Sequence, residues 1–132
     1  MGMTISFPGG AAVLADYKGF TIRTDQPEED GGANSAPSPF DLFVVSLGTC
    51  AGFYALRFCQ QRRLPTTGMA LHVAIERNPE SKRLERMTLE LRLPEGFPAR
   101  YRAAIVRAVD LCSVKRALLD PPEIVISAKE AP

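Results

Sequence analysis

Three side chains carry the chemistry this sequence could do: the thiols of Cys50, Cys59 and Cys112. A thiolate is nucleophilic and oxidisable, and two thiols that meet can hold an oxidation as a disulfide. Cys50 and Cys59 share one apolar stretch, SPFDLFVVSLGTCAGFYALRFC, which reads as a single helix over residues 38–63. At about 100° per residue their side chains point about 180° apart, so they cannot bridge within one chain. The helical neighbours of Cys50 are Ser46, Leu47, Phe53, Tyr54 and Arg57. Arg57 is a candidate for activating a thiolate there, with desolvation opposing it. Gly48 and Gly52, on either side of Cys50, suggest close approach by a second backbone or a ligand. Cys59 reads as a small buried hydrophobe. No CxxC spacing occurs and His72 is the only histidine, so no metal site is expected.

The elements that must position these thiols follow from the pattern. Ser38 serves as N-cap, Pro39 suits the first helical position, Asp41 completes a capping box, and Pro65 stops the helix. Its uncharged part, residues 42–56, falls short of the roughly 20 residues a bilayer span needs, so it reads as a core helix covered on more than one face. Upstream, TISF, AAVLAD and GFTIRTD are short strands of an antiparallel meander, followed by an acidic, Gly- and Pro-rich loop, QPEEDGGANSAP, with freedom to move. Downstream, MALHVAIER and LERMTLELRL alternate as two amphipathic strands around a turn. A second helix begins at Pro98 and sets Tyr101, Ile105, Ala108, Val109 and Cys112 on one stripe. That stripe turns Cys112 toward the core that holds the Cys50 helix, close enough for the two thiols to bridge. A short helix covers residues 112–119, whose positive end, with Lys115 and Arg116, is expected to lower the Cys112 pKa. EIVIS reads as a last strand. The fold class is α+β, in a single domain over residues 1–132.

Composition narrows the function. Sixteen basic residues meet 15 acidic ones, for a net charge of +1, which argues against nucleic-acid and membrane-surface partners. Arg62 and Arg63 read as a solvated helix end. The opening MGMTISFPGG has neither a basic n-region nor an apolar h-region, so a cytoplasmic location with reduced thiols is expected.

Pro39 with the apolar run through LGTC, the strand pair GMALHVAIE and RMTLELRLP, and the segment AIVRAVDLCSVKRAL resemble the OsmC/Ohr superfamily of thiol-dependent peroxidases. The resemblance implies an antiparallel sheet packed on a long central helix, in an intertwined homodimer. It implies that Cys50 attacks an organic hydroperoxide and that Cys112 resolves the sulfenic acid into a disulfide, which an outside dithiol, of lipoyl type for example, reduces. No cofactor is implied. The match departs from the family where its members carry Asn-Pro-Glu, because Phe40 follows Pro39 here. That glutamate would position an arginine from the N-terminal strands, and Arg23 is the only arginine before the helix. The chain is thus closer to the less characterised OsmC-like branch. The alternative is a non-enzymatic dimer of the same fold that binds an apolar ligand or senses redox state.

Overall fold

The computed structural model describes residues 2–132, which form two compact units divided after Ser46. In the first unit β1 (Thr4–Gly9), β2 (Ala12–Tyr17) and β3 (Phe20–Thr24) make an antiparallel meander. The β2–β3 turn has Lys18 at φ 52° and Gly19 at φ 81°. Two left-handed residues in succession match the twist of the flanking strands, and a glycine takes the second without strain.

The loop after β3 is tied down rather than free. The Asp25 carboxylate accepts hydrogen bonds from the Ser35 hydroxyl (2.5 Å) and from the N–H groups of Gln26 (2.8 Å), Ser35 (3.0 Å) and Ala33 (3.3 Å). Asp25 is 3% exposed. The Ser35 hydroxyl, helped by the Gln26 and Ser35 N–H groups and against burial, lowers its pKa to about 2. The backbone folds so tightly that a Cβ on Gly32 would lie 1.9 Å from the Gln26 carbonyl oxygen. Composition alone suggested mobility because it does not show that one buried carboxylate gathers four donors.

The expected helix is α1 (Pro39–Gln61), and its capping box forms: the Ser38 N–H donates to Asp41 at 3.0 Å, and the Asp41 N–H donates to the Ser38 hydroxyl at 3.1 Å. At its other end Arg63 is left-handed (φ 54°) and the Leu64 N–H donates to the Cys59 carbonyl at 2.9 Å, closing the last turn. Arg62 does more than sit in solvent. Its guanidinium lies 3.7 Å from the Phe58 ring centroid and donates to the Phe58 carbonyl at 3.2 Å. By length and composition alone α1 could cross a membrane. One stripe of it, Leu47, Ala51, Ala55 and Cys59, is buried within the protein.

The second unit adds a hairpin, β4 (Ala70–Arg77) with β5 (Leu84–Arg92), and two helices, α2 (Arg102–Asp110) and α3 (Ser113–Leu119). Pairing Leu71 with Leu91, Val73 with Leu89 and Ile75 with Met87 sets one apolar face on the hairpin. The core gathers Ala55, Phe58, Cys59 and Ile105, with Leu91, Leu93, Tyr101 and Val109 packed against them. The stripe read from the sequence on α2 therefore faces inward. A single 3₁₀ turn, Ala99–Tyr101, precedes that helix where a helical start at Pro98 was expected.

Two expectations change. Among the described residues the anticipated single sheet is two antiparallel sheets, of three and two strands. EIVIS is not a strand: Ile124, Val125 and Ile126 are 80%, 78% and 90% exposed and outside any ladder. A strand exists only by pairing its backbone, and high β-propensity without a neighbouring edge does not make one. The class is α+β, with small antiparallel sheets and three α-helices among the described residues.

Candidate active site

Cys50 lies on α1 between the buried stripe and an exposed one that includes Val45 and Phe53, and it is half-buried. The glycines beside it differ. A Cβ on Gly48 would sit 3.0 Å from the Val73 side chain, so Gly48 marks where β4 packs close. A Cβ on Gly52 would meet no other atom of this chain within 4 Å.

The partner group comes from the junction of α2 and α3. The Leu111 and Cys112 N–H groups bond back to the Ala108 and Val109 carbonyls, which ends α2. Cys112, at φ −46° and ψ 126°, leaves the helical region and becomes the cap of α3, with its carbonyl accepting from the Arg116 N–H at 3.0 Å. Its side chain is 1% exposed. This bend carries the first residues of α3 to Cys50, whose Sγ lies 3.4 Å from the Ser113 Oγ.

The environments of the three thiols are distinct. Burial pushes the Cys50 thiol up, but the Ser113 hydroxyl, the Val114 N–H, the Cys112 thiol and the Ser113 N–H together lower it to about 7. Burial raises the Cys112 thiol, the Lys115 N–H pulls against it, and the neighbouring Cys50 sulfur raises it further. This corrects the expectation that Lys115 and Arg116 would lower Cys112. The Lys115 ammonium pairs with the Asp110 carboxylate, and the Lys115 and Val114 N–H groups that pull the Cys112 thiol down do not outweigh its burial. Burial also raises Cys59, which sits in the core with Phe58 and Ile105. All three thiols are free.

The structure brings Cys50 and Cys112 together, and Cys59 points elsewhere. Arg57, seven residues along α1 or roughly 10 Å by helical rise, stacks on the Phe53 ring at 5.0 Å. Arg23 in the first unit donates to the Ser35 hydroxyl at 3.4 Å. Phe40 packs against Phe43, with ring centroids 5.4 Å apart. Ser113 is the residue that sequence reasoning missed. Its signal was its place directly after Cys112, at the first position of a helix. A groove of about 510 Å³ reaches Cys112 and is lined by Leu47, Met87, Leu89, Val106 and Leu118 together with the charged Arg107, Asp110 and Lys115. The arrangement gives a lowered thiol, a second thiol whose neighbourhood contributes to that lowering, and a mainly apolar groove at the second thiol. It can hold a thiolate and close a disulfide.

The pattern of the family described as OsmC-like protein matches residues 31–127. No curated protein matches the chain. Among solved structures, it is similar to a proposed osmotic stress induced and detoxification response protein from Psychrobacter arcticus 273-4, at 17% identity and TM-score 0.74 over 87% of this chain and 85% of that one. It is similar to an OsmC-like protein from Mycoplasma pneumoniae at 13% identity and TM-score 0.72, over 91% and 87%. It is similar to an organic hydroperoxide resistance protein from Legionella pneumophila at 17% identity and TM-score 0.54, over 89% of each. At these identities the likeness is one of fold.

Proposed function

We propose that this chain, which belongs to the OsmC-like protein family, is a thiol-dependent peroxidase that reduces organic hydroperoxides. The observation that carries this reading is a half-buried Cys50 thiol 3.4 Å from the Ser113 hydroxyl and lowered to about 7, with the buried Cys112 thiol among the groups that lower it. The organic hydroperoxide resistance protein of similar fold supports it at the level of the family.

The Cys50 thiolate attacks the terminal oxygen of ROOH. An S–O bond forms, the O–O bond breaks, and RO⁻ leaves to take a proton as ROH. The sulfur, oxidised by two electrons, becomes a sulfenic acid. The Cys112 sulfur then attacks Cys50, the S–S bond forms, and the hydroxyl departs with a proton as water. A dithiol of lipoyl type reduces the disulfide by two exchange steps and leaves as a disulfide itself. The nearness of the two thiols suits the second step, because a resolving thiol must arrive before a second peroxide does. The apolar residues of the groove at Cys112, Leu47, Met87, Leu89 and Leu118, favour a fatty or aromatic R group over a polar one.

The working unit of this reading is a homodimer in the cytoplasm. A single chain leaves Val45 51% and Phe53 47% exposed on α1, and Ile126 90% exposed near its end. Apolar area is worth about 25 cal/mol per Å² when covered, so such surfaces favour a second copy. Light scattering should give a dimer. A folded 14.4 kDa species at micromolar concentration would exclude it.

One equivalent of cumene hydroperoxide tests the chemistry. Peptide mapping without reductant should find Cys50 linked to Cys112. In Cys112→Ser, a dimedone-type probe should label Cys50. If both thiols stay free in folded protein, the chain is not a peroxidase, and an apolar-ligand carrier of the same fold takes its place.

A further inference from the structure

We propose that Ser113 is the positioning residue that activates Cys50, its hydroxyl donating a hydrogen bond to the thiolate. The inference rests on reading Cys50 as the attacking thiol and names the group that readies it.

The geometry assigns the role. The Ser113 Oγ lies 3.4 Å from the Cys50 Sγ, within the reach of an O–H···S bond. Ser113 stands at the first position of α3, directly after Cys112, and the buried Cys112 side chain anchors that junction. The Arg116 N–H bond to the Cys112 carbonyl fixes the first turn. The hydroxyl is therefore held against the sulfur by the backbone. A hydroxyl can face either form of the thiol, accepting from S–H or donating to S⁻. A bond to the ionised form is roughly twice as strong as a neutral one, so the hydroxyl biases Cys50 toward the anion. The two charged candidates have other partners: Arg57 stacks on Phe53, and Arg23 bonds to Ser35.

The consequence for the reaction is economical in structure. One bend between α2 and α3 delivers two successive residues to Cys50, the hydroxyl of Ser113 that readies it and the thiol of Cys112 that resolves it.

The test is the pH profile of Cys50 alkylation by iodoacetamide, followed on its own peptide by mass spectrometry in the full-length protein. The parent should show a midpoint near 7. Ser113→Ala should raise that midpoint by about one pH unit and slow alkylation at pH 7 about five-fold, while Ser113→Thr restores it. Ser113→Asp, whose carboxylate suits the first turn of a helix, should raise the midpoint at least as far, and it provides a folded variant should the alanine one be unstable. A midpoint unmoved in a folded Ala or Asp variant overturns the proposal, even if hydroperoxide turnover is intact. A midpoint that moves as expected in a protein that never consumes hydroperoxide upholds the role of Ser113 and removes the peroxidase reading instead.

Discussion

The turn around Asp25 and the site around Cys50 use the same means to opposite ends. In each, a serine hydroxyl and backbone N–H groups hold an acid below its ordinary pKa: Ser35 for Asp25, and Ser113 with its neighbours for Cys50, against the burial of the thiol. The difference is saturation. Asp25 gathers four donors between 2.5 and 3.3 Å and is 3% exposed, so its charge is used up in fixing the chain. Cys50 is half-buried, has its hydroxyl contact at a looser 3.4 Å, and has a second thiol beside it. A thiolate lowered too far loses nucleophilicity along with its basicity, so a pKa close to ambient pH suits attack better than a deep one. The first arrangement is a structural anion; the second is the nucleophile of the proposed reaction.

The sharpest way to break the comparison is to remove the Cys50 sulfur. Cys50→Ser should reduce hydroperoxide consumption to the background rate, read by loss of cumene hydroperoxide in the presence of a dithiol. Consumption at the parent rate would mean that the lowered pKa at Cys50 serves no attack. On the structural side, Gly32→Ala places a Cβ 1.9 Å from a carbonyl oxygen that belongs to the backbone. The main chain must move, at a cost of about 3 kcal/mol, and the donors to Asp25 move with it. Denaturant titration should show that loss. An unchanged midpoint would show that the turn is not held as tightly as its hydrogen bonds indicate.

A smaller effect separates the two anions by pH. The Asp25 pKa is lowered on folding, to about 2, against about 3.9 for a free aspartate. Its contribution to stability is therefore fully present above about pH 4 and is lost as pH falls through 2. The stability gap between the parent and Asp25→Asn should narrow across that window, measured by urea titration at successive pH values. A gap that stays constant from pH 5 to pH 2 would mean that the charge contributes nothing.

The contrast also explains what could be read from the residues alone. The capping box at Ser38 and Asp41, the alternation in both strands of the hairpin, and the stripe from Tyr101 to Cys112 are local patterns with one physical solution each, and they formed as read. The two anion sites were not legible, because their donors come from residues whose distance along the chain hides their contact. Ser35 reaches Asp25 through a loop whose composition suggests only disorder, and Ser113 reaches Cys50 from another helix. The fate of EIVIS was hidden for a related reason: propensity is local, whereas the edge a strand needs is not.

Cys59 supplies the finest test, because it is the same residue on the same helix without the donors. It is fully buried against Ala55, Phe58 and Ile105, and burial raises its thiol despite the pull of Arg62. A thiol so placed stays protonated at neutral pH and out of reach of an alkylating agent, so Cys59 should be labelled only on unfolding. Cys59→Ala removes one buried sulfur and leaves a small void, at about 1 kcal/mol, or a fall in Tm of roughly 3–6 °C. Turnover of hydroperoxide should stay within a few-fold of the parent, because the side chain lies about 180° around the helix from Cys50. A loss as deep as that of Cys50→Ser would make Cys59 a working thiol. It would then follow that a buried sulfur without donors can react as readily as one with a serine hydroxyl against it, and the distinction drawn between the two kinds of site would fail.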